Sequence, residues 1–199
     1  RFHNSIQMGQ PSNGMVNFGS VELDHNFSIS FWLKPENIMG PASTLLSKNN
    51  INSMKVFKLE KGEENASLRL SLYLDGVNEE LVFSSTDDLL EENIWSHITI
   101  TYNDSNGSVQ LFKNGQLNRQ ISGKFFTGTS IISRFSSMKL GDEINSFTGL
   151  FDDLRVYKIT LDDADMANIY GSGFGDFTKI EIIGAGQTKI TAMQLGDSQ

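Results

Sequence analysis

Apolar and polar residues alternate with a period of two through much of this chain. Along residues 27–33, Phe27, Ile29, Phe31 and Leu33 point one way, and Ser28, Ser30 and Trp32 the other. That is the pattern of a half-buried strand. Pro35 ends the run, because proline offers no N–H to a ladder. Residues 68–74, 77–84, 98–102, 109–112 and 116–121 are further strand-like runs. Asp75-Gly76, Asn106-Gly107 and Asn114-Gly115 fall between them. Asn-Gly and Asp-Gly supply the positive φ angles of turns whose twist matches antiparallel strands, so the middle of the chain reads as a β-meander.

The flanks are less regular. Residues 16–18 and 20–23 read as a short hairpin or strand pair around Gly19, and 44–48 and 54–59 as strands. Residues 60–65 read as a charged turn, 86–93 as an acidic loop, 124–128 and 136–140 as weaker strands, and 147–157 as a strong strand. One helix is expected. Thr160 would cap it, Asp162 and Asp163 would occupy its first turn, and Gly171 would follow its end. Met166, Ile169 and Tyr170 fall at i, i+3 and i+4, so the helix should brace the sandwich with that stripe. The GSGFGD segment at 171–176 reads as a linker, and 178–183 and 188–193 as two β-runs around a turn. Residues 1–175 are therefore expected to form one domain, and 176–199 a C-terminal β-hairpin that begins a following module.

The 199 residues suffice for one all-β domain with a real core. The net charge of −8 argues against nucleic acid, whose phosphates need clustered Lys and Arg, and is compatible with bound calcium. The absence of cysteine removes thiol catalysis, zinc–thiolate sites and iron–sulfur clusters. No apolar run is long enough for a membrane-spanning helix. The chain opens on Arg1 without a visible signal peptide, which reads as a piece of a longer protein.

Six segments carry a family likeness. Residues 27–35 (FSISFWLKP), 45–48 (LLSK), 95–102 (WSHITITY), 109–115 (VQLFKNG), 147–157 (FTGLFDDLRVY) and the helix of 161–170 resemble, in order, the strands and closing helix of laminin G-like (concanavalin A-like) domains. The resemblance covers roughly 14–172 and implies an all-β, two-sheet antiparallel jelly-roll sandwich with one short helix near its C-terminal end. It implies a non-catalytic binding or adhesion module of a secreted or surface protein, taking a carbohydrate or an extracellular protein partner, often with one structural calcium. Residues 178–199 are similar to the opening of bacterial immunoglobulin-like repeats. That likeness implies a bacterial, extracellular or cell-surface setting.

Of the groups that could carry chemistry, Asp152 matches the position at which the family binds calcium, with main-chain oxygens around Gly19 as its expected partners. Gly19 stands where the family often has an aspartate, which weakens the match. A solvated acidic pair is the plainer reading of Asp152-Asp153. The glycosidases of this fold need two carboxylates on one strand face. Glu22 and Asp24 match only part of their motif, since position 27 is Phe. His3, His25 and His97 have no metal-ligand spacing, and His97 is expected to face solvent or a neighbouring strand. Trp32 and Trp95 are expected to pack, with Phe125, Phe126 and Phe135 as alternative ligand-facing aromatics. The sequons at Asn26, Asn65, Asn103 and Asn106 are ascribed to an Asn- and Ser-rich composition. An accessory module of a polysaccharide-degrading enzyme, a purely structural spacer and an unusual glycosidase using Glu22 stand as alternatives.

Overall fold

Alternation of the kind seen at 27–33 requires two layers, each strand burying one face against the opposite sheet. The computed structural model describes residues 5–9, 15–21, 23, 26–49, 55–63, 65–73, 80–123, 137–141, 145–172 and 182–183. Its strands are β1 (Ile6–Met8), β2 (Val16–Ser20), β3 (Asn26–Pro35), β4 (Ser43–Asn49), β5 (Lys55–Lys61), β6 (Leu68–Tyr73), β7 (Glu80–Ser84), β8 (Ser96–Asn103), β9 (Ser108–Lys113), β10 (Gln116–Ile121), β11 (Ser137–Leu140) and β12 (Gly149–Tyr157). Helix α1 (Asp163–Ser172) and the two-residue β13 (Ile182–Ile183) follow. One sheet runs β1-β12-β3-β8-β9-β10, with β13 added beside β12; the other runs β2-β11-β4-β5-β6-β7. All pairings are antiparallel except β12 with β13.

The jelly-roll sandwich is thus as the alternation predicts. Phe27, Ile29, Phe31 and Leu33 of β3 pair with Tyr102, Ile100, Ile98 and Ser96 of β8. The four apolar residues of β3 are fully buried between the sheets. Phe31 stacks on Phe151 of β12 at 4.8 Å between ring centroids. Phe57, Leu59, Leu68, Leu70 and Leu72 fill the same core from the other sheet. At the far side, β10 is stapled to the loop after β7. The Asn118 Nδ2 donates to Thr86 Oγ1 (2.9 Å), and Arg119 donates to the Ser85 carbonyl (3.4 Å).

Three expectations need correction. Gly19 does not turn a hairpin: β2 runs through it, and one extra β2 residue sits opposite β11 between the Asn17–Lys139 and Ser20–Ser137 pairs. Its φ of 74° is that of a bulge residue, a conformation glycine adopts without penalty. The charged turn expected at 60–65 starts too early. Glu60 and Lys61 belong to β5, pair with Arg69 and Leu68, and are buried. Burial is tolerated at Lys61 because its ammonium donates to the carbonyls of Ile38, Gly40 and Gly62, although desolvation still lowers its pKa. Finally, Asp162 and not Thr160 caps α1. The Asp162 Oδ1 accepts the Asp165 N–H and the Asp165 Oδ2 accepts the Asp162 N–H, a reciprocal box. The Thr160 hydroxyl donates instead to the Tyr102 carbonyl.

Candidate functional site

Helix α1 covers part of the outer face of the seven-stranded sheet, and its placement creates a concave feature on that side. Ser28, on the outer face of β3, donates through Oγ to the Ile159 carbonyl (2.9 Å) and accepts the Leu161 N–H (3.0 Å). Together with the Thr160–Tyr102 bond, this fixes the segment between β12 and α1 across the sheet. Met166, fully buried, packs with Leu161 and Phe112, and the stripe expected from Met166, Ile169 and Tyr170 is the docked face. The start of the helix therefore stands beside the ends of β8 and β9.

An open groove of about 560 Å³ lies between them, lined by Asn103, Gln110, Thr160, Leu161, Asp162, Asp163 and Ala164. The volume falls within the range of small-ligand sites. Gln110 is held in place: its amide donates to Gln120 Oε1 (3.0 Å) and its own Oε1 lies 3.3 Å from the Thr101 hydroxyl. The Asn103 Oδ1 accepts the Ser105 N–H. Two amides, a hydroxyl and two carboxylates thus converge with no lysine or arginine in the lining. Such a set bonds neutral hydroxyl-bearing or cationic molecules and repels anions. The sequence reading left the ligand-binding residues unknown. Neither the sequon at Asn103 nor the family-like segment that holds Gln110 points to a ligand, and the register of β8 on β9 brings the two to the start of α1.

A second polar surface lies on the outer face of the six-stranded sheet. Asn17, Lys139, Ser47, Lys58, Ser71 and Val82 form one row in register across β2, β11, β4, β5, β6 and β7. Lys58 forms an ion pair with Glu60 at 2.5 Å, and Ser47 and Ser71 beside it are buried.

The expected calcium residues lie on different sheets, and no described contact joins them. Gly19 is in β2, its N–H donated to Asn17 Oδ1. Asp152 pairs with Trp32 on the face of β12 opposite Phe151, outside the core. One Asp152 oxygen accepts the Asp153 N–H at 2.8 Å. Burial raises its pKa, opposed by that hydrogen bond and reinforced by the charge of Asp153. Asp153, at φ 50° in a bulge of β12, holds the Arg155 Nε through Oδ1 (2.8 Å). A desolvated carboxylate with one oxygen to offer fits a cation, but it supplies a single side-chain ligand. No group of three His, Asp or Glu residues suited to a metal occurs among the described residues. Glu22, Asp24, His3, His25, Phe125, Phe126 and Phe135 lie outside the described residues.

His97 takes the second of its two expected settings, packed against a neighbouring strand. It is 2 % exposed, with Trp32 at 5.2 Å and Tyr170 at 6.0 Å between centroids. Trp32 packs as expected, against Tyr170 at 5.8 Å.

Residues 10–167 match the family described as the concanavalin A-like lectin/glucanases superfamily, of laminin G type. Among curated proteins none matches. Similar solved structures include a heptameric SAP-like pentraxin from Limulus polyphemus, at 15 % identity and a TM-score of 0.64, covering 83 % of this chain and 79 % of that one. The botulinum neurotoxin serotype D ligand binding domain in complex with N-acetylneuraminic acid is similar at 17 % identity and a TM-score of 0.60, covering 85 % of this chain and 44 % of that one. The receptor binding domain of botulinum neurotoxin C/D mosaic serotype gives 18 %, 0.60, 86 % and 47 %. The chain thus spans less than half of either toxin domain. At these identities the structural likeness speaks for the fold, and the family match spans most of the sequence: this chain belongs to the laminin G-like branch of the concanavalin A-like lectin/glucanases superfamily.

Proposed function

We propose that this domain is a non-catalytic extracellular binding module of a larger modular protein, and that it takes a neutral carbohydrate in the groove between α1 and the ends of β8 and β9. The observation that carries the reading is the lining itself. Sugar hydroxyls are at once donors and acceptors, and a wall of Asn103, Gln110, Thr160, Asp162 and Asp163 answers both roles. The sialic acid of the botulinum domain supports a lectin reading of the fold only loosely, because the matched part is under half of that chain. The charge of the present groove favours a neutral or amino sugar over an acidic one. A calcium at Asp152 belongs to the same reading as a rigidifying ion, supported by the desolvated carboxylate.

A glycan panel of neutral, amino and acidic sugars tests it. Asn103→Ala and Gln110→Ala should each weaken binding of the retained sugar about tenfold or more, the loss of one or two hydrogen bonds. The thermal unfolding of both variants should stay close to wild type. Asp162→Asn, which keeps the helix cap, should relax the exclusion of acidic sugars. Retention of acidic sugars alone, or binding indifferent to both amides, would sink the groove. Failure to bind any glycan or matrix protein would favour a spacer.

A further inference from the structure

Beneath α1 much of the sheet is polar, where a structural helix ordinarily meets an apolar floor. Arg155, Ser30, Thr99 and Phe112 form one row across β12, β3, β8 and β9. Tyr157, Ser28, Thr101 and Gln110 form the next. Ser30 and Thr99 are 0 % and 1 % exposed, and neither hydroxyl has a hydrogen-bond partner among the described residues. Buried polar groups left in this state subtract from the docking energy of whatever covers them. The helix is held by Met166 and Leu161 on Phe112, with Ile169 and Tyr157 packed against them, and at the last turn by Tyr170 laid over Trp32 and His97.

We propose that α1 is a clasp that acid releases from an otherwise intact sandwich, with His97 as the trigger. The inference goes beyond the carbohydrate reading and stands or falls independently of any ligand. Burial and the nearby Arg155 disfavour a second positive charge at His97. From β12 comes Arg155, whose Nε is held by Asp153, with Tyr157 also bonded to it. From α1 comes the Tyr170 ring, and from β3 the Trp32 ring, which stands between His97 and Asp152 in the register. At the β9–β10 turn, Asn114 accepts the His97 backbone N–H, and Lys113 is paired with Glu91. The acids of α1, Asp163 and Asp165, lie in its first turn, away from Tyr170.

Burial, aided by Arg155, lowers the His97 pKa to about 4. The released state, with His97 in water, would titrate near 6.5. The docked form therefore binds fewer protons than the released form. Docking is at full strength above pH 6.5, weakens as pH falls from 6.5 to about 4, and changes no further below that. Across this window the opening equilibrium should rise roughly a hundredfold. Release would bare Trp32, Phe112 and Met166 and remove one wall of the groove.

Hydrogen exchange resolved by residue, corrected for intrinsic rates, tests the proposal on the whole chain between pH 7 and pH 4. The amides of 166–172 should lose protection by about a hundredfold, while those of β3 and β8 keep theirs. His97→Gln should abolish the dependence, and Asp152→Asn should leave it intact. Since the glutamine variant could fail to fold, the imidazole of wild-type His97 should also be titrated by NMR. A midpoint near 4 sustains the proposal, and a midpoint near 6.5 overturns it. Unchanged protection of α1 at pH 4, the same loss in His97→Gln, or loss across both sheets together would each overturn it as well.

Discussion

Two single residues show how local conformation decides cost. Gly149 opens β12 at φ 150°, and a Cβ there would collide with the Lys34 carbonyl oxygen and stand 2.8 Å from the Phe147 ring. The nearest obstacle is the backbone of the paired strand, which cannot swing away. Gly149→Ala should therefore cost about 2 kcal/mol or more, read as a lower urea midpoint at unchanged slope. Asp152 makes the opposite case. Its raised pKa means that the folded state holds a proton more tightly than the unfolded chain does, so stability falls as pH rises through its titration. At neutral pH without calcium the carboxylate is a cost, and Asp152→Asn should melt above wild type in EGTA, the gap closing toward pH 3. In millimolar calcium the wild type should gain several degrees and the variant none, as expected for an ion at a hundredfold over its dissociation constant. An equal calcium shift in both proteins would place the ion elsewhere.

At the scale of elements, the β9–β10 hairpin was legible in advance because Asn114-Gly115 has one conformational use. The two residues stand at φ 53° and 78°, as an Asn-Gly turn requires. Asn114 does a second task that its dipeptide does not announce: its Oδ1 accepts the His97 N–H at 2.9 Å. Asn114→Ala should lose both, about 1–2 kcal/mol by chemical denaturation, where a turn role alone would give the lower figure. The same contrast runs through the fold. Phe27 to Leu33, and the Met166–Ile169–Tyr170 stripe, could be read because each pattern follows from the period of one element. The capping residue was misplaced by two positions, because Thr160 and Asp162 are both good caps and only the sheet beneath decides which is free. The groove was invisible for a related reason. Asn103 and Gln110 meet α1 through the register of two strands and a crossover of the chain, and neither the sequon at Asn103 nor the family-like segment around Gln110 announces that meeting. His97 was left between solvent and a neighbouring strand because its face of β8 would be open without α1, and only the docked helix decides between the two.

At the scale of the molecule, the question is where the domain ends. β12 is flanked on one side by β3 throughout, and on the other by two short pieces from distant parts of the chain. β1 pairs with Gly149, Leu150 and Phe151, and β13 pairs with Val156 and Tyr157. The expected boundary near residue 175 would separate β13 from the sandwich, whereas its parallel pairing attaches it. The two-residue ladder is small against a core that runs the length of both sheets. Residues 1–175 alone should therefore unfold in one cooperative transition, with a loss of about 1–2 kcal/mol for a few net hydrogen bonds. The truncated edge at Val156–Tyr157 would also be left unpaired, and such edges recruit other strands. Gel filtration of the truncated chain should then show a concentration-dependent dimer that the full chain lacks. A loss of several kcal/mol, or a broad transition, would assign 176–199 to the sandwich itself. A small loss with no dimer would leave β13 as an incidental contact and keep the boundary at 175.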